Sequence, residues 1–244
     1  MSRRKSSSGV ILVKGIGYLF YLYILLCIFL IKLIINILTF FIRMIMFYRT
    51  KYKVKSGNGF FKTYFDKGFW GEYQLYRRLI KVFGEDKLLT NIYLPSQNID
   101  NTEIDVLGVH NGIVYCYEVK NYGGHIYGKQ TDKNWTQVLR FRTKNKFYNP
   151  IRQNYAHTKA LEEYLEIEEH DIVPIIVFSN RANLANVSVT NVKIKRLNDC
   201  FATYDGLQGK LSDEEIINKL ILNTNVEKQV KDEHIEQVNL LKQE

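Results

Sequence analysis

Residues 67–200 predict a small α/β domain, with helices laid against a mixed sheet. Three observations predict it. An apolar stripe at helical spacing runs through residues 67–84. Two apolar runs flank an Asn-Gly pair at 111–112, the strongest short-range signal for a two-residue hairpin turn. A compact apolar run, 172–178, follows a helix that opens with Asn149-Pro150.

In the first helix Phe69, Tyr73, Tyr76, Ile80 and Phe83 recur at spacings of 4, 3, 4 and 3. Leu75 and Leu79 form a second stripe, and Glu72 lies on its continuation, so it points partly inward. The same residue also reads more plainly as a first-turn glutamate favoured by the helix dipole. Residues 87–94 make a strand closed by Pro95. In the hairpin that follows, Asn111 and Gly112 form the turn and His110 pairs with Ile113. Counting outward, Asp105 falls opposite Glu118, and Glu103 opposite Lys120. Period-two alternation puts Glu118 and Lys120 on one sheet face, with Asp105 beside them. Opposed side chains stand about 5 Å apart at Cβ, and like charges there are destabilising. The pair therefore calls for a cation, and Mg²⁺ or Mn²⁺ with oxygen ligands answers that call.

Asn-Tyr-Gly-Gly ends the second strand, and residues 125–148 are short strand or loop, rich in bases and aromatics. The helix from Pro150 runs to about Glu168, the apolar run 172–178 is a buried strand, and a short strand near 187–194 follows. Ser212-Asp-Glu-Glu is a capping-box pattern that opens a charged amphipathic helix in the tail, 201–244.

Charge separates the chain into regions. Residues 1–55 carry ten bases and no acid, while the other 189 residues sum to −1. The net +9 thus belongs to the N-terminal segment and is not an argument for nucleic acid. Residues 119–159 hold nine bases against Asp132 alone, a local patch of the kind that holds phosphates. Cys27, Cys116 and Cys200 have no CxxC or Cys/His ligand spacing, which argues against a zinc site and a disulfide framework.

Residues 15–42 are almost wholly apolar, with Lys32 the lone charge. About 20 apolar residues cross a bilayer core. A cleaved signal peptide would have an apolar region of about 7–15 residues and then a small-residue cleavage site. Here the run is longer and continues into Arg-Met-Ile-Met-Phe-Tyr-Arg, so a retained single-pass transmembrane helix is expected. Four bases flank it on the N-terminal side and five, within 43–55, on the other, which favours a cytoplasmic domain by the positive-inside rule. The expected organisation is a basic segment 1–14, a transmembrane helix 15–42, a basic linker 43–66, the α/β domain 67–200 and the tail.

Gly71-Glu72 on a helix, Ile104-Asp105, Glu118-Val119-Lys120-Asn121-Tyr122 with Gly123-Gly124, Trp135, and Asn149-Pro150-Ile151-Arg152-Gln153 occur in this order. Over about residues 67–180 the chain resembles the nuclease-related (NERD) domain, a family placed in the PD-(D/E)XK nuclease superfamily. The resemblance implies a restriction-endonuclease-like core and a metal-dependent nuclease, with DNA as substrate. An idle, membrane-tethered nucleic-acid-binding or scaffold module is the alternative.

The residues suit that chemistry on their own account. Asp105 and Glu118 share the metal, which polarises a phosphoryl oxygen and acidifies a bound water. Lys120 positions or deprotonates that water and stabilises developing charge. Glu72 adds a ligand, and Gln153, in the first turn of its helix, orients water or phosphate. Arg140, Arg142, Lys144, Lys146 and Arg152 hold the backbone, and Trp135, with Tyr127, Phe141 and Phe147, stacks on bases. His157 lies four residues after Gln153 on one helical face. The lipid bilayer and nucleic acid are the expected partners, with a second copy or another protein meeting the C-terminal helix.

Overall fold

The computed structural model describes residues 5–95, 102–140, 143–189, 193–200 and 206–223, with side chains from residue 15 onward. The chain divides into two units, Met1–Arg49 and Thr50–Glu244. The first is one helix, α1 (Lys5–Tyr48). Its stretch Gly15–Tyr48, 34 residues, is long and apolar enough to cross a membrane by length and composition. The helix runs past the expected end at 42 because Arg-Met-Ile-Met-Phe-Tyr contains no helix breaker.

The second unit begins earlier than expected. Residues 50–66, read from sequence as a linker, form α2 (Tyr52–Ser56) and α3 (Phe60–Phe65), with Tyr52, Ser56, Phe60 and Thr63 buried. Gly57, in the left-handed region at φ +70°, ends α2. The Lys55 ammonium, 2.5 Å from the Glu85 carbonyl and 2.6 Å from that of Leu88, fixes α2 to the start of the sheet.

Helix α4 (Lys67–Phe83) starts at Asp66, whose side chain accepts the Phe69 N–H at 2.9 Å. It buries Tyr73, Tyr76 and Phe83 of the first expected stripe and Leu75 and Leu79 of the second, with Gly71 and Glu72, while Phe69 and Ile80 are half-buried. A five-stranded sheet follows, in the order β1 (Leu88–Leu94), β2 (Thr102–His110), β3 (Ile113–Lys120), β7 (Ile172–Phe178) and β9 (Lys193–Arg196). β1, β2 and β3 pair antiparallel, whereas β3, β7 and β9 pair parallel. The hairpin register is the one the Asn-Gly turn implies, from His110↔Ile113 to Val106↔Tyr117, with φ +54° at Asn111 and +74° at Gly112.

Adjacent β3 residues face opposite layers. The Tyr115 ring meets Phe83 of α4 at 5.1 Å. Cys116 packs in the other layer with Leu161 and Leu165 of α5 (Pro150–Leu165) and with Ile216 and Leu220 of α6 (Asp213–Ile221). Helix α6 carries the expected capping box at Ser212. It belongs to the core, because the segment before it closes on the hairpin turn: Gly209 N–H donates to the Asn111 carbonyl (2.9 Å) and Gly112 N–H to Asp213 (2.7 Å). Residues 224–244 of the expected tail lie outside the described residues.

The region 125–148 builds part of a second sheet, β6 (Lys144–Tyr148), β5 (Asn134–Val138), β4 (Gly124–Lys129) and β8 (Ala182–Ser188). Where one strand was expected near 187–194, β8 and β9 belong to different sheets. The centre of the second sheet is Trp135, wholly buried and parallel to the Phe178 ring at 6.3 Å, with its indole N–H on the Lys129 carbonyl at 3.0 Å.

Gly71 lets α4 approach the end of β3. A Cβ there would meet Asn121 Cβ at 2.7 Å and Val119 at 3.3 Å. Gly71→Ala is expected to destabilise the fold by about 1–3 kcal/mol through overpacking, measured by denaturant unfolding; an unchanged midpoint would refute this packing.

Candidate active site

Asp105 sits where two strand ladders open. The β1–β2 ladder pairs Thr90 with Val106 and Ile92 with Ile104, and leaves Asn91 opposite Asp105 out of register. Asn91 holds a left-handed φ of +52°, a conformation asparagine tolerates better than most residues. On the other side, the β2–β3 ladder ends at Val106↔Tyr117, and the Asp105 carboxylate accepts the Val119 N–H at 2.8 Å. A side chain has replaced a backbone partner, and this fixes the carboxylate beside β3.

Glu118 and Lys120 then project from β3 towards α5. One Glu118 oxygen lies 2.5 Å from the Lys120 ammonium, and the other 3.0 Å from His157 Nε2. The ammonium also donates to Gln153 Oε1 at 2.9 Å. His157 is held in turn by Thr102, whose hydroxyl lies 2.8 Å from Nδ1. Gln153 and His157 reach neighbouring β3 groups because they are one helical turn apart on α5. Asn149 caps that helix through Ile151 N–H at 2.9 Å.

Glu72 is carried by α4. It is 8 % exposed, with the Tyr52 hydroxyl 3.4 Å away. Burial, and then the charge of Asp105, hold its pKa well above the usual carboxylate range; Glu103, Asp66 and Glu118 add to this. Asp105 is likewise pushed well up by burial and then Glu118, against the opposing pull of Lys120 and the Val119 N–H. Burial would raise Glu118 too, but Lys120 and His157 outweigh it and hold it below the ordinary value. Burial would lower Lys120, yet Glu118 and Asp105 hold it above the ordinary lysine value.

The structure thus brings together Asp105, Glu118, Lys120 and Gln153, with Glu72 adjoining Asp105 through the field they share. Glu103 departs from the expected place opposite Lys120: it turns to β1 and accepts from Asn91 (2.7 Å) and the Tyr93 hydroxyl (2.6 Å). Trp135 cannot stack on a base, because it is the core of the second sheet. Arg140, Lys144, Lys146 and Arg152 are exposed, and Arg152 donates to the Thr131 carbonyl at 2.9 Å. Arg142 and Phe141 lie outside the described residues. His157, Tyr52 and Asn91 are the site residues that sequence reasoning did not place there; only His157 had a signal, its helical spacing from Gln153.

The donor set is hard, all carboxylate oxygen. Among the described residues no three His, Cys, Asp or Glu side chains form a ready-made metal cage. Mg²⁺ commonly takes only one or two carboxylates, with waters and substrate phosphates completing its octahedron, and Asp105 and Glu118 are the pair that would supply them.

Residues 67–179 match the nuclease-related (NERD) domain family. An uncharacterized protein of Bacillus anthracis is 30% identical over 176 residues, which cover 69% of this chain and 82% of that protein. A crystal structure of a protein of unknown function aligns at TM-score 0.32 and 17% identity, over 68% of this chain and 78% of that one.

The raised carboxyl groups make a pH prediction. Glu72 and Asp105 keep their protons in the folded state at pH values where the unfolded chain has lost them. Without divalent ions, stability is therefore expected to fall as pH rises above their ordinary values, about 4. Glu118, which is lowered, contributes the opposite trend only below its own ordinary value. Melting temperatures across pH 5–8 should decline for the parent chain and less for Glu72→Gln; equal slopes would contradict the burial of that charge.

Proposed function

The chain belongs to the nuclease-related domain family, and we propose that it is a membrane-anchored, divalent-metal-dependent nuclease that hydrolyses phosphodiester bonds in DNA. The observation that carries this reading is the convergence of Asp105, Glu118, Lys120 and Gln153 at one strand end. Asp105 and Glu118 would hold Mg²⁺ or Mn²⁺, with Glu72 as a further or water-mediated ligand. Bound there, the ion supplies Lewis-acid polarisation of a phosphoryl oxygen and a water acidic enough to lose its proton near neutrality.

The chain's own groups supply the rest. Lys120 is held as a cation by its two carboxylate neighbours, so it stabilises charge developing on the phosphate and does not serve as the base. Gln153 fixes the ammonium through Oε1, leaving its amide N–H₂ to orient a water or a phosphate oxygen. His157 holds the far oxygen of Glu118 and so sets the angle at which the near one is presented. Arg140, Lys144, Lys146 and Arg152, with Arg142 of the same stretch, supply the field that draws the phosphate backbone.

The test is incubation of the full-length chain, in mild detergent, with plasmid and linear DNA plus Mg²⁺ or Mn²⁺. Cleavage is expected, with Glu118→Ala and Lys120→Ala each slowing it by about 10²–10³-fold or more. Absence of cleavage on every substrate, or full activity in both variants, would sink the proposal. Anchoring rests on the 34-residue, predominantly apolar stretch Gly15–Tyr48 of α1, against the roughly 20 apolar residues that a bilayer needs. The protein should stay with the membrane pellet after alkaline carbonate washing, and quantitative release would rule anchoring out.

A further inference from the structure

A crevice of about 1040 Å³ opens at the carboxyl ends of β3 and β7, where the chain leaves both strands for the second sheet. Ligands of open α/β sheets bind at such places. Its walls are the first turns of α4, the ends of the two strands, and part of β5 and β6. None of the carboxylates of the proposed centre lines it, yet Gly71 and Asn121 do, and each is bonded in sequence to a site residue, Glu72 or Lys120. The crevice and the carboxylate centre therefore lie across the same strand end.

We propose that this crevice holds an unpaired nucleic-acid strand, so that the nuclease takes single-stranded substrate, or substrate with a single-stranded arm. The inference rests on the nuclease reading for its biological sense, but its argument is the lining. Lys67, Arg140 and Arg181 supply three cations. Lys67 and Arg140 make no side-chain hydrogen bond or ion pair among the described residues, and the Arg181 guanidinium is braced on Asn121, 3.2 Å from its Oδ1. Asp66 is the lone acid of the lining, and its carboxylate already caps α4. Trp70 and Tyr122 lie half-buried in the walls, the Tyr122 ring fixed edge-on against Phe147 at 4.7 Å.

Recessed rings with cations beside them suit bases that have left the stack. An unpaired strand presents both π-faces and phosphates to such a channel, whereas a duplex keeps its bases stacked inside and offers only a convex backbone. Three cations are also few for a duplex site, which commonly uses about 6–10 phosphate contacts.

The experiment is fluorescence anisotropy of the full-length chain in mild detergent and EDTA, with a labelled oligothymidine or a duplex of equal length. The single strand should bind at least about tenfold tighter. Its log affinity should fall with log salt at a slope of about −2, the release expected for three neutralised phosphates on a single strand. Arg181→Gln and Arg140→Gln, both at exposed positions, should each reduce that slope by about 0.7 without lowering the melting temperature. Tyr122→Leu should cost about tenfold in single-strand affinity. Equal or tighter binding of the duplex, or unchanged affinity and slope in the arginine variants, would overturn the proposal. Because binding is read without metal, failure of cleavage with single-strand binding intact counts against the nuclease reading alone.

Discussion

Glu118 is a carboxylate with its side chain 1% exposed, and the surrounding structure is arranged around the cost of that charge. A buried anion costs several kcal/mol unless it is paired and hydrogen-bonded. Lys120 and His157 each take one oxygen, so both sides of the carboxylate are engaged. The compensation is local and incomplete. Asp105 and Glu72 are buried too, and their ionisation is resisted by burial and then by neighbouring carboxylates, Glu118 for Asp105 and Asp105 for Glu72. A divalent ion held there, as proposed, would lower the energy of the cluster as a whole by relieving that repulsion.

Such a cluster must be held in place, and each support traces to an ordinary backbone device. Asn91 leaves the β1 ladder in a left-handed conformation, and Asp105 fills the opening by accepting from Val119. Asn149 caps α5 and at the same time donates to the carbonyls of Gln130 (3.1 Å) and Asp132 (2.6 Å) in the β4–β5 turn. One residue thereby ties the second sheet to the helix that carries Gln153 and His157. The walls of the crevice and the orientation of the ammonium's partner are mechanically linked through it. At the opposite end of the hairpin, Lys87 reaches Asp213 at 2.6 Å while Asp213 holds the Asn-Gly turn, so α6 closes the sheet end furthest from the site.

Much of this was legible in the residues. The Asn-Gly pair set the register, and the register alone placed Asp105 beside Glu118 and Lys120, because side-chain period in a strand is strict. The spacing of Phe69 to Phe83 located α4 and turned Glu72 inward. Other parts were hidden for identifiable reasons. Helices α2 and α3, of five and six residues, are too short to show a period, so Tyr52 passed for linker. Trp135 looked like a stacking residue because it sits among bases. The Gly128 opposite it, where any Cβ would strike the indole, marks it as a packed ring, and that signal appears only when the β4–β5 pairing is known. Glu103 followed β1 because the ladder opens at Asp105, a break that no alternation pattern predicts.

The basic stretch after the hairpin carries a last constraint. Lys144 and Lys146 are two residues apart on β6, an outer strand of the second sheet, and both are exposed. Lysines on an edge strand discourage pairing with another chain, so these two have a reason to exist without any ligand. Arg140 differs. It follows β5 and lines the crevice, with no edge to guard. Arg181, from the turn between β7 and β8, lines the same crevice from the other strand end. The cations that sequence groups into one run are thus divided by the fold, some to the rim of a sheet and one to a channel, where it meets a partner about forty residues away. Local charge density in a sequence identifies the region that attracts phosphate, while the topology decides which of its members can touch one.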